Sequence, residues 1–128
     1  MADLIYLDTH VVAWLYARGE DALGARARDE LERAGEVRCS PMVRLELQYL
    51  YEVGRVAEPA LPVMDALAAA LGLRMCDAPY FAVVREAEVM SWTRDPFDRL
   101  IVAQAALHGA PLLTKDETIH AAYDQAVW

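Results

Sequence analysis

Four carboxylates stand where the sequence pattern could make them ligands, and two of them, Glu46 and Asp98, have no ordinary surface duty. Glu46 lies in a run that opens with Ser40-Pro41 and closes at Gly54. That opening pairs a side-chain cap with proline at the first helical position. At about 100° per residue, Arg44, Gln48, Glu52 and the trailing Arg55 gather within roughly 80° of one another as a polar face. Glu46 points about 120° or more away from each of them, among Met42, Val43, Leu47, Tyr49, Leu50 and Val53. A carboxylate on the apolar side of a helix costs several kcal/mol unless it is neutralised or paired. An ion pair with an arginine of another helix would satisfy it, but carboxylates are so seldom buried without a partner that a ligand role is favoured.

Asp98 presents the same problem. Its segment, Asp95-Pro96-Phe97-Asp98, opens a nearly apolar helix that ends at Gly109. Asp98 shares a face with Ile101, Val102 and Ala105, while Gln104 and His108 point elsewhere. The competing reading is a favourable place beside the positive end of the helix dipole. Asp95 is assigned as the cap of this helix, and Asp98 as the ligand. Asp8 ends the apolar run Leu4-Ile5-Tyr6-Leu7, and Asp116 lies two residues beyond Leu112-Leu113-Thr114. Each is also a good helix cap. In an open parallel sheet, however, sites form outside the carboxyl ends of the strands, which brings both to one edge.

Three Asp and one Glu, with no matching His or Cys cluster, describe an oxygen-only site suited to Mg²⁺ or Mn²⁺ rather than zinc or copper. Crowded carboxylates repel one another until a cation fills the site. A divalent ion held this way suits phosphoryl chemistry, with one metal or two. Thr9 and Thr114 are placed to offer hydroxyls to a metal or a phosphate, or to act as local caps. Arg94, Arg99 and Lys115 flank the acids, either to grip a nucleic-acid backbone or to pair with the acids themselves. His10 reads as a satisfied core histidine rather than a general base. Trp14, Tyr16, Tyr49, Tyr51, Tyr80, Phe81 and Trp92 fall at helical spacing and read as core or dimer packing before base stacking.

The elements that must carry these residues alternate between short strands and helices. Strands are expected at Leu4–Leu7, Val37–Cys39, Leu73–Cys76 and Leu112–Thr114, with a last edge strand at Ala126-Val127. Helices are expected over Thr9–Ala17, Asp21–Ala34, Pro41 to about Val53, Val63–Leu71, Pro79 to about Trp92 and Asp95 to Gly109, then a short one after Asp116. Pro59 and Pro62 bracket a loop. This alternation predicts a three-layer α/β/α domain with a central, mostly parallel sheet of four to five strands.

The 128 residues fit one domain over 1–128. With 56% hydrophobic and 25% charged residues, the chain reads as a globular protein with ample core material. It carries no long uncharged apolar run, so no membrane span is expected. Met1-Ala2-Asp3-Leu4 lacks the basic start of a secretory signal. Cys39 and Cys76 make neither a disulfide framework nor a zinc pattern and read as buried thiols in a reducing cytoplasm. The net charge of −8 opposes non-specific attraction to phosphate. A nucleic-acid substrate would therefore depend on metal ions and a local basic rim. Eleven of the twelve basic residues are Arg, with Lys115 the exception.

These residues resemble those of a known family. Leu7-Asp8-Thr9-His10 with Ala13-Trp14-Leu15 resembles the opening of a PIN domain. The run from Asp95-Pro96-Phe97-Asp98-Arg99 through Ala105 is similar to the most recognisable segment of VapC-type toxins. Leu112-Leu113-Thr114-Lys115-Asp116 is similar to the closing strand-and-acid element, and Ser40 with Glu46 fits the remaining acidic position. The resemblance implies a Mg²⁺- or Mn²⁺-dependent endoribonuclease, with Asp8, Glu46, Asp98 and Asp116 as the catalytic, metal-binding set. It further implies a homodimer held inactive by a cognate VapB-type antitoxin. Two alternatives compete: a non-catalytic PIN-like binding or scaffold module, and a receiver-like phosphoacceptor domain. The latter needs an acceptor Asp after a central strand, for which Cys76-Asp77 is the sole candidate, and it gives Glu46 no role. A haloacid-dehalogenase-type phosphatase needs a second Asp where this chain has His10.

Overall fold

A computed structural model describes residues 3–128. The reading of Met1-Ala2 as a start without a signal lies outside these residues. Strand β1 (Leu4–Leu7) leads into α1 (Thr9–Arg18), a single 3₁₀ turn (Gly19–Ala22) and α2 (Ala25–Arg33). Then come β2 (Glu36–Cys39), α3 (Pro41–Glu52), α4 (Ala60–Leu71), β3 (Arg74–Met75), α5 (Tyr80–Glu88), α6 (Pro96–Leu107), β4 (Leu112–Leu113), α7 (Glu117–Ala122) and β5 (Ala126–Val127). The five strands lie in the order β3-β2-β1-β4-β5, and every pairing is parallel. The sheet is therefore wholly parallel, with helices making the outer layers of an α/β/α sandwich.

β1 is central and fully buried from Ile5 to Leu7, as a strand covered on both faces must be. In register it sets Tyr6 against both Arg38 and Leu112, and Leu7 against Leu113. The chain moves outward from β1 to β2 and β3, then returns to add β4 on the other side of β1. The crevice where the order reverses lies between the carboxyl ends of β1 and β4. Asp8 follows the first of these strands, and Thr114-Lys115-Asp116 follows the second.

Three predicted helices differ from expectation. The predicted Asp21–Ala34 helix is broken at Leu23-Gly24, where the glycine lets Trp128 approach: a Cβ on Gly24 would sit 2.7 Å from the Trp128 backbone carbon. α4 begins at Ala60 rather than Val63, with Pro62 in its first turn, where a missing N–H is no loss. Its start is capped from α3, as Gln48 Oε1 accepts from the Ala60 N–H at 3.1 Å. α5 stops at Glu88, short of Trp92. The turn that follows is held by Arg94, donating to the Ser91 carbonyl, and Arg99, donating to the Thr93 carbonyl.

The polar face predicted for α3 is also corrected. Arg44 and Gln48 are half-buried beside the start of α4, while Leu45 and Tyr49 are about half exposed, at 54% and 49%. Tyr16, Tyr51, Tyr80 and Phe81 are likewise exposed, so these aromatics are not core residues of the monomer. Trp14 and Trp92 are half-buried, and Cys39 and Cys76 are buried as free thiols. Among the described residues no helix is long and apolar enough to cross a membrane.

Candidate active site at the carboxyl edge of the sheet

Each acid is delivered by a different element. Asp8 sits between β1 and α1 and is 4% exposed. It caps α1, its Oδ1 accepting from the Thr9 N–H at 2.8 Å. Its other oxygen, Oδ2, accepts from Thr114 Oγ1 at 2.6 Å. Glu46, one turn into α3, is half-buried, and its Oε1 accepts from Thr9 Oγ1 at 2.5 Å. Asp98 lies in the first turn of α6, half-buried, below the cap formed by Asp95 Oδ1. Asp116 caps α7, its Oδ1 accepting from the Ile119 N–H at 3.1 Å.

The charge of the other acids is felt at Asp98 and at Glu46. Burial raises the Asp98 carboxyl first, then Asp95, Asp8, Asp116 and Glu46 each add to it, pushing it up to about 7. The dipole of α6 acts in the opposite sense, but such effects are typically ~0.3–1 kcal/mol, less than the about 1.4 kcal/mol that moves a pKa by one. Burial and like charge therefore win at Asp98. The Glu46 carboxyl is also raised, chiefly by burial, with the Thr9 hydrogen bond pulling it down and Asp8 and Asp95 pushing it up. Asp95, expected only as a cap, thus belongs to the same field.

Among the described residues no three His, Cys, Asp or Glu side chains are gathered into a closed metal cage. By type, four carboxylates on one sheet edge are oxygen donors of the kind a hard divalent cation takes, and burial together with the charge of the other acids raises Asp98. A cation among them would relieve the repulsion that raises Asp98.

The predicted accessory residues are placed as follows. Thr9 and Thr114 are buried, and their hydroxyls are spent on Glu46 and Asp8 rather than turned to solvent. Arg94 and Arg99 hold the turn before α6, and neither they nor Lys115 forms an ion pair with the four acids among the described residues. The Lys115 ammonium lies over the Trp14 ring, 5.8 Å from its centre. His10 is not a core residue: its side chain is 31% exposed and hydrogen-bonded across the site, a placement that its apolar neighbours in sequence disguised.

The PIN domain family matches residues 5–125 of the chain. Among curated proteins the chain is similar to Ribonuclease VapC22 of Mycobacterium tuberculosis, at 33% identity over 120 residues, 90% of this chain and 88% of the relative. Among solved structures it is similar to VapBC2 from Rickettsia felis bound to a DNA fragment from their promoter. That match has a TM-score of 0.62 at 17% identity and covers 92% of each chain, a likeness of fold.

Proposed function

The chain belongs to the PIN domain family, in its VapC branch, and on that premise we propose that it is a Mg²⁺- or Mn²⁺-dependent endoribonuclease, the toxin of a VapBC-type toxin–antitoxin pair. The observation that carries the reading is the meeting of Asp8, Glu46, Asp98 and Asp116 at the switch point of the sheet, close enough for three of them to raise the fourth. When bound there, the cation supplies charge that acidifies water and offsets charge building on a phosphate during displacement. The chain's own residues do the rest. Thr114 and the Thr9 N–H fix both oxygens of Asp8, and the Thr9 hydroxyl keeps Glu46 turned toward the site. Asp98 contributes its carboxylate from the rigid first turn of α6, and Asp116 from the cap of α7. Lys115 and Arg99, at the rim, are the proposed contacts for the RNA backbone, offsetting the net charge of −8.

We propose that the chain acts as one PIN-like domain in the cytoplasm, with a VapB-type antitoxin as partner and a homodimer or toxin–antitoxin hetero-oligomer as its assembly. An apolar groove of about 300 Å³ beside α1, lined in part by Trp14, Tyr16, Leu47 and Val63, supports a protein partner. So do the exposed Leu45, Tyr49, Tyr80 and Phe81.

Incubating the purified protein with a mixed RNA pool in Mg²⁺, Mn²⁺ or EDTA, beside Asp98→Asn, tests the nuclease. Metal-dependent cutting that disappears in the variant is expected. Cutting that persists in EDTA or in the variant would sink the assignment.

A further inference from the structure

We propose that His10 is a positioning residue that clamps the loop carrying Asp116 to the strand end carrying Asp8. The proposal rests on the reading of these acids as a metal site and adds a residue to it. The Thr114-Lys115-Asp116 loop leaves the sheet at β4, and each of its three backbone N–H groups has a partner: that of Thr114 donates to the Val127 carbonyl at 3.0 Å. The Thr114 carbonyl accepts from His120 Nε2 at 2.6 Å. The Asp116 N–H donates to Thr114 Oγ1 at 3.1 Å. The remaining donor is the Lys115 N–H. It donates to His10 Nε2 at 3.0 Å, across 105 residues of sequence.

That bond fixes the ring. A neutral imidazole has one N–H, so accepting at Nε2 places the proton on Nδ1. Nδ1 lies 3.5 Å from Asp8 Oδ2, the oxygen that also accepts from Thr114. One ring therefore reaches from one proposed ligand to the backbone beside another. Its plane rests against Trp14, 4.8 Å between centres, and Lys115 covers that same indole. Ligands held this way keep their geometry without the metal, and groups that orient ligands typically govern affinity about 10–100-fold.

A residue that only fills space against Trp14 would behave differently, and two substitutions separate the cases. His10→Phe keeps a ring on Trp14 but removes both nitrogens. His10→Gln loses the ring but keeps an acceptor of about the same reach. Mn²⁺ binding to the full-length protein, followed by the electron paramagnetic resonance of free Mn²⁺, is compared for both with wild type and Asp98→Asn. The expected result is at least about a tenfold loss of affinity in His10→Phe and near-wild-type affinity in His10→Gln. The reverse order, or no loss in His10→Phe while Asp98→Asn loses binding, overturns the role of His10 and leaves the metal site standing. Undiminished binding in Asp98→Asn instead overturns the metal site and the proposal with it. A long-range ¹H–¹⁵N spectrum of the wild-type protein needs no variant: a proton on Nδ1 of His10 is expected, and one on Nε2 overturns the proposal.

Discussion

Thr114 Oγ1 donates to Asp8 Oδ2 at 2.6 Å, joining the end of β4 to the end of β1 at the point where the sheet reverses its order. Both residues are buried, Thr114 completely. Thr114→Val keeps the shape and deletes the donor. A buried carboxylate that loses a hydrogen bond costs about 1–3 kcal/mol. Urea denaturation is expected to show a loss of that size, together with reduced cleavage. An unchanged midpoint would mean that Asp8 is held by Thr9 and the backbone alone.

At pH 8, above the value of about 7 to which its carboxyl is raised, Asp98→Asn removes a charge from among four neighbours of like sign. In EDTA the variant is expected to melt at a higher temperature than wild type, because the repulsion that raises Asp98 is gone. Saturating Mn²⁺ reverses the order. Binding at about 100 times the dissociation constant stabilises the wild type by about 2.7 kcal/mol, which the variant forgoes. Thermal melts of both proteins with and without Mn²⁺ measure this crossing.

The pH dependence of the metal-free protein follows from the same group. The Asp98 carboxyl titrates near 3.8 when unfolded and about 7 when folded, so the folded state binds more protons between those values. Stability from this group is therefore full below about 4, falls as pH rises, and is lost above about 7. Chemical denaturation of the EDTA-treated protein across pH 4 to 8 is expected to show that decline, flattened in Asp98→Asn. A parallel decline in the variant would assign it to other groups.

Thr9→Val tests the Glu46 bond. Thr9 is the one neighbour that lowers the Glu46 carboxyl. Without its hydroxyl, Glu46 should hold its proton to higher pH and accept a cation less readily. Mn²⁺ titrations at pH 6 and pH 8 should differ more for the variant than for wild type.

Gly24→Ala probes the junction between α2 and the end of the chain. The added methyl would meet the Trp128 backbone at 2.7 Å, and Trp128 in turn packs edge-on against Trp14. Overpacking of this kind typically costs about 1–3 kcal/mol. A loss in that range by urea denaturation is expected, with cleavage retained once the variant is folded.

Much of this was legible in the residues themselves, because local rules govern it. Period and composition mark the strands, and Ser40, Asp95 and Asp116 announce the helices they cap. Parallel strands all end on one edge, which brings Asp8 and Asp116 together without any knowledge of their contacts. Helical angles alone set Glu46 apart from Arg44 and Gln48, and placed Asp98 with Ile101 and Val102. The tertiary structure decided the rest, because it depends on partners distant in sequence. The Thr9–Glu46 and Thr114–Asp8 bonds span 37 and 106 residues. No local rule shows that these hydroxyls face the acids, or that His10 reaches the backbone of Lys115. Periodicity gave α3 its polar stripe, but the path of the chain from Val53 to Ala60 folds α4 onto that stripe and leaves Leu45 and Tyr49 outside. The field at Asp98 is likewise a sum over groups from four separate elements, which only the fold brings within range.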